Sequence, residues 1–223
     1  VLITGGAGFI GSHLAEKLVA LRYKVIVIDN LYSGNKANLT KIKNKINFYK
    51  IDIRNNLKLE EIFKKKIDVV IHLAALADIV PSIQNPKNYY ETNVTGTFNL
   101  LMLAKKYNIK KFIYSASSSC YGITKSTPTS ENVKIDTRYP YALTKRLGEE
   151  LILHWGKVFK LNYTSLRFFN VYGPRSRTSG AYGAMFGVFL AQKLSGKPFT
   201  IVGNGKQKRD FTYVYDIVDS IVV

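Results

Sequence analysis

A parallel β-sheet wound with helices on both faces is the fold class that this 223-residue sequence predicts. Three observations carry that expectation. Apolar runs of strand length alternate with helix-like stretches along most of the chain. Several runs, such as Val69 to Ile71, are continuously apolar, as strands covered on both faces are. The chain also opens with Val1-Leu2-Ile3, which enters a glycine-rich turn and then a helical period.

Strands are expected near 1–4, 24–29, 46–50, 68–72, 110–115 and 162–168. Helices are expected at roughly 10–21, 35–44, 57–66, 87–107 and 140–160 between them. Leu14, Leu18 and Leu21 supply the period of the first helix. This alternation makes residues 1–173 a doubly wound α/β domain of the Rossmann kind. The pattern changes after Pro174. A polar loop at 174–181 leads to a helix at 183–195 and a short strand from Pro198 to Val202. Gly203-Asn204-Gly205 reads as a turn and Asp210 to Val214 as a strand. Residues 174–223 are read as a smaller, partial substrate-binding region. The first strand is already under way at Val1, and Ile221-Val222-Val223 sits in an uncapped helix, so truncation is expected at both ends.

Composition narrows the class. A hydrophobic content of 46% is ample for a core. A single cysteine, Cys120, excludes an intrachain disulfide and fits a reducing, cytoplasmic setting. No run of about 18 apolar residues predicts a membrane span. The net charge of +18 is mostly lysine spread along the chain, densest at 41–50 and 64–66. Without interleaved aromatics it reads as a solvated surface, and no nucleic-acid partner is expected. Three histidines without ligand spacing give no metal site, and His72 is read as a buried strand end.

The chemistry begins at Gly5, Gly8 and Gly11, spaced G-x-x-G-x-x-G between strand and helix. The first permits a tight turn, the second lets backbone approach a pyrophosphate, and the third allows close packing of helix on strand. The helix N-terminus adds free N–H groups and a positive dipole end. The second strand ends in Asp29, 18 residues past Gly11. A carboxylate there bonds both hydroxyls of an adenosine ribose and repels a 2′-phosphate, so NAD is expected rather than NADP.

Tyr141 and Lys145 share one face of a helix at i and i+4. The ammonium is expected to favour the phenolate, lowering the Tyr141 pKa so that it can act as a base on a sugar hydroxyl. Upstream, Ser115, Ser117, Ser118 and Ser119 end a strand at the edge of the sheet where ligands bind in such folds.

Together with Gly5 to Gly11, Asp29-Asn30-Leu31, Asp52-Ile53, His72 to Ala75, Asn93-Val94 and Arg167 to Pro174, these motifs resemble the extended short-chain dehydrogenase/reductases of the nucleotide-sugar epimerase/dehydratase type. The resemblance covers nearly the whole chain. It implies a catalytic set of Ser117, Tyr141 and Lys145, with Tyr141 and Lys145 also among the cofactor contacts, Lys145 on the nicotinamide ribose. It implies cofactor contacts from the turn, Phe9 and Ile10 included, and from Asp29 and Asn30. Asp52 and Ile53 would hold the adenine. Leu73, Ala74 and Ala75 would line phosphate and ribose, Asn93 would orient the site, and Phe169 would face the nicotinamide. Ser117, Ser118, Asn170 and Arg209 would meet the substrate, Arg209 at its diphosphate. Relatives that dehydrate or decarboxylate place an acid beside the Ser/Thr, whereas this chain has Ser117-Ser118-Ser119 and no acid until Glu131. That implies oxidation and re-reduction at C4 of a UDP-sugar through a 4-keto intermediate, with NAD kept bound. Leu76-Ala77-Asp78 stands where some epimerases carry a lysine, which favours UDP-glucose or UDP-N-acetylhexosamines. A dehydratase, a decarboxylase and a non-catalytic NAD-binding protein are the alternatives. Relatives often dimerise through two helices, so a homodimer is implied.

Overall fold

The computed structural model describes residues 1–124, 127–178, 185–201 and 203–222. Six parallel strands form one sheet: β1 (Leu2–Thr4), β2 (Val25–Asp29), β3 (Ile46–Lys50), β4 (Val69–His72), β5 (Lys111–Ser117) and β6 (Tyr163–Phe168). Their order is β3-β2-β1-β4-β5-β6, so the chain reverses its winding between β1 and β4. Two further strands, β7 (Asn170–Tyr172) and β8 (Phe211–Tyr213), pair in parallel beside it. The helices are α1 (Phe9–Ala20), α2 (Asn56–Phe63), α3 (Ile79–Gln84), α4 (Pro86–Tyr90), α5 (Gly96–Lys106), α6 (Pro140–Phe159), α7 (Met185–Leu194) and α8 (Val214–Val222).

Side chains alternate across each strand, so neighbours feed opposite cores. Leu2, Ile28, Val70 and Phe112 face one side, against Leu59 of α2, Leu100 of α5 and Ile152 of α6. Ile3, Val27, Ile71 and Ile113 face the other, against Leu14 and Leu18 of α1 and Ile217, Val218 and Ile221 of α8. The continuous apolar strands are thus buried on both sides. No described helix is long and apolar enough to cross a membrane.

Several elements differ from the sequence expectation. The helix expected at 35–44 is a 3₁₀ helix, Lys36–Ile42. Asn35 accepts from Ala37 N, and the Thr40 hydroxyl donates to Ala37 O, so side chains compete for the backbone there. The single helix expected at 87–107 is three pieces. Asn85 caps α4, Pro86 begins it, and a π-helical turn, Glu91–Thr95, leads into α5. α3 and β7 were not anticipated. The strand expected from Pro198 is not formed over 198–201. Gln192 instead bonds both the hydroxyl and the N–H of Thr200, tying that segment to α7. The strand expected through Val214 ends at Tyr213, where α8 begins. Residues 179–181 of the expected loop, 183–184 of the expected helix, Val202 and Val223 lie outside the described residues.

Leu100→Ala should cost about 2–5 kcal/mol, the scale for a fully buried leucine in a core. Leu57→Ala, at a position 78% exposed, should change stability by under about 0.5 kcal/mol. Urea unfolding of the two variants checks the contrast.

Candidate active site

Two adjoining cavities lie at the C-terminal edge of the sheet. The first, about 770 Å³, spans the β1/β4 switch. Gly5, Gly8, Phe9, Ile10, Gly11, Asp29, Asn30, Ile53, Leu73, Ala74 and Ala75 all line it. Gly5 adopts φ +70, and a Cβ there would lie 2.7 Å from Ala74 N. The turn therefore presses on the backbone just past the end of β4, and no side chain fits between them. At Gly8 a Cβ would meet only Gly5 O, at 3.1 Å. Its remaining surface faces the cavity, so a side chain would fill the place a phosphate group needs.

Asp29 fixes this turn from β2. Its carboxylate accepts from Ala7 N at 3.0 Å and Leu31 N at 2.8 Å. Burial pushes its pKa up, and those two N–H groups oppose the rise. Bare backbone at Gly8, the opening N–H groups of α1 and an acid at the end of β2 fit a dinucleotide. Asp52 does not line either cavity. Its carboxylate is held by Arg54 Nη2 at 2.8 Å, Arg54 Nε at 2.9 Å and Asn30 Nδ2 at 2.9 Å. The hydrogen bonds from Arg54 hold its pKa down to about 2. Arg54 itself lines the cavity, and its only sequence signal is its place two residues after Asp52.

The second cavity, about 1370 Å³, contains Ser117, Ser118, Tyr141, Lys145, Phe169, Asn170 and Arg209. β5 delivers Ser117 and α6 delivers Tyr141. The Tyr141 hydroxyl donates to Ser117 Oγ at 3.2 Å, and Ser119 Oγ lies 2.8 Å from the same atom. Pro140 begins α6 with its fixed φ and missing N–H, so Tyr141 sits in the first turn, at the sheet edge. Asn170 donates to Asp210 O at 3.0 Å, and Arg209 donates to Lys208 O at 2.7 Å. The Phe169 ring stacks with Tyr121 at 6.4 Å.

Asn93 lines neither cavity; it braces them. Its Oδ1 accepts from Leu76 N at 2.8 Å, and its Nδ2 donates to Leu76 O at 3.0 Å and Thr144 Oγ1 at 3.1 Å. Thr144 lies between Tyr141 and Lys145 on α6. Asp78, which lines both cavities, was read in the sequence only as a departure from a lysine pattern.

The expected lowering of the Tyr141 pKa is not what the site produces. Burial raises it above the ordinary value, and the Ser117 hydrogen bond only partly offsets this. Lys145 is 4% exposed, and burial lowers its pKa to about 7. Its ammonium nitrogen lies 4.4 Å from the centre of the Tyr114 ring. Among the described residues, no group of three or more His, Cys, Asp or Glu side chains could hold a metal ion.

A sequence model of the NAD dependent epimerase/dehydratase family matches residues 1–223. A UDP-glucose 4-epimerase of Thermotoga maritima, solved with UDP-glucose, superposes at TM-score 0.94 with 38% identity. That match covers 99% of this chain and 71% of the other. A UDP-glucuronate 4-epimerase of Thermodesulfobacterium geofontis is 38% identical over 225 residues, 97% of this chain and 68% of that protein. A UDP-N-acetyl-alpha-D-glucosaminuronate decarboxylase of Bacillus cytotoxicus is 38% identical over 228 residues, 99% of this chain and 69% of that protein. A glycine cradle at the sheet's switch point, a serine–tyrosine contact at its edge and a match along the whole chain agree: the chain belongs to the NAD dependent epimerase/dehydratase family, whose cofactor is NAD.

Proposed function

We propose that the chain acts as an NAD-dependent epimerase inverting C4 of a UDP-sugar, either UDP-glucose/galactose or a UDP-N-acetylhexosamine. The observation that carries this reading is the Tyr141–Ser117 contact at a strand end made of serines. No acid stands beside Ser117 in the chain to drive elimination or loss of CO₂. A family dehydratase or decarboxylase is the second reading, and Asp78 is the observation that favours it. That carboxylate lines the serine-side cavity and lies near enough to help raise the Tyr141 pKa.

When bound, NAD supplies reversible two-electron oxidation of an alcohol. The N–H groups opening α1 and the bare face of Gly8 take its pyrophosphate, beside Gly5, Phe9, Ile10 and Gly11. Asp29 and Asn30 take the adenosine ribose, with Asp52 and Ile53 on the adenine side. Leu73, Ala74 and Ala75 form the opposite wall, Phe169 faces the nicotinamide, and Asn93 holds that wall to α6. Arg209 and Asn170 bind the UDP-sugar's diphosphate and Ser118 its sugar. Residues 174–223 contribute to that substrate side. Phe98, Met102 and Phe159 lie exposed on α5 and α6, which supports a homodimer through those helices. The one cysteine, Cys120, is free and buried, as suits the cytoplasm.

The proton chemistry rests on a shared count. A neutral Tyr141 phenol with a neutral Lys145 amine holds as many protons as a phenolate with an ammonium. Above about pH 7 Lys145 has lost its extra proton, so the pair already has the count that base catalysis needs. A proton leaving the sugar hydroxyl through Ser117 Oγ can then be accepted. Below about pH 7 the pair carries one proton too many.

Incubation with UDP-glucose or UDP-N-acetylglucosamine should yield the C4 epimer, followed by NMR; release of water or CO₂, or loss of substrate without an epimer, would refute the assignment. Cofactor binding with no turnover on a panel of nucleotide sugars would support the non-catalytic alternative. Tyr141→Phe should lower turnover by at least about 10²-fold, the usual scale for a lost acid–base group. The kcat/KM profile should rise with pH through about 7, the value to which burial lowers Lys145, and Lys145→Met should abolish that rise.

A further inference from the structure

Residues Pro174 to Arg177 cross the cofactor cavity from one side of the β1/β4 switch to the other. At one end they are pinned to α1. His13, 2% exposed, donates from Nε2 to Pro174 O at 2.9 Å. Arg175 donates to Ser12 Oγ at 3.0 Å and to Glu16 Oε1 at 2.6 Å. At the other end Arg177 Nη1 meets Asp78 Oδ2 at 2.5 Å, in the loop between β4 and α3. Arg175, Arg177 and Asp78 all line the 770 Å³ cavity.

The two ends differ in strength. Side-chain exposure is 18% and 21% for Arg175 and Glu16, but 46% and 31% for Arg177 and Asp78. Water screens the second pair more, so it opens first. Arg175 also holds φ +66, a left-handed conformation that an arginine adopts only where its contacts enforce it.

We propose that residues 174–177 form a strap over bound NAD, hinged on α1 and latched by Asp78 and Arg177. Asp78 and Arg177 are then positioning residues that set how long the cofactor stays. A reaction that oxidises and re-reduces one sugar gains from a cofactor that does not leave between the two halves. This inference rests on the first cavity being the NAD site.

The test is the release rate of etheno-NAD chased with excess NAD. Asp78→Asn and Arg177→Gln should each speed release by about fivefold, a modest factor because a partly exposed ion pair is individually weak. The double variant should release no faster than either single one, because a broken latch cannot break twice. Asp78→Asn separates the strap from a plain charge effect. Removing a carboxylate beside an anionic dinucleotide would by field alone slow its escape, whereas an opened latch speeds it. Slower or unchanged release in Asp78→Asn, or rates that multiply in the double variant, would overturn the strap. If Asp29→Ala weakens etheno-NAD affinity while the latch variants leave release unchanged, only the strap falls. If Asp29→Ala has no effect on affinity, the cavity is not the NAD site and the strap falls with it.

Discussion

One chain of buried and half-buried hydrogen bonds joins the sheet's switch point to the helix that carries Tyr141. Ala74 N donates to Thr4 Oγ1 at 3.1 Å, and Thr4 Oγ1 meets His72 Nδ1 at 2.7 Å. His72 Nε2 meets Thr97 Oγ1 at 2.9 Å, and Thr97 donates to Asn93 O at 2.6 Å. Asn93 then reaches Thr144, which donates to Tyr141 O at 3.0 Å. Each hydroxyl has one proton, and this assigns every direction. Thr97 spends its proton on Asn93 O, so His72 must donate from Nε2. His72 Nδ1 is then an acceptor and Thr4 its donor. Burial holds the His72 pKa well below its ordinary value, which keeps the ring in that neutral form. A half-satisfied network at this depth would be costly, and every member here has its partners. β1, β4, the π-helical turn and α6 are thereby locked in one register.

The strands were legible because their period is strong and their burial complete. Val27 with Ile28, and Val70 with Ile71, need apolar neighbours on both faces. The cradle was equally legible, since few backbones other than this turn need bare positions at 5, 8 and 11. The π-helical turn was not. Glu91 to Thr95 has no composition that sets it apart from an α-helix, and only the inward aim of Asn93 shows why the extra residue is there. The Arg177–Asp78 pair lies 99 residues apart in sequence, and no local period reports such a contact. Tyr141 and Lys145 were found by spacing, but their charge states were not. Burial, the largest cause of both shifts, is a property of the folded surroundings.

Lys145 has a carboxylate one turn further along α6, and burial still decides its pKa. Glu149 is the carboxylate that raises the Lys145 pKa, yet the net shift is downward. Glu149 is itself 3% exposed and fully committed elsewhere. Arg146 donates to its Oε2 at 2.7 Å, Arg167 Nε to its Oε1 at 3.0 Å and Ser165 to its Oε1 at 2.8 Å. Glu149 is thus shared between two guanidinium groups and a hydroxyl, and its pull on the Lys145 ammonium is the smaller effect beside burial. Through this satisfied ion cluster α6 is tied to β6, which carries Ser165 and Arg167. Lys145 shares one face of α6 with Glu149 at i and i+4, buried with its nitrogen over the Tyr114 ring.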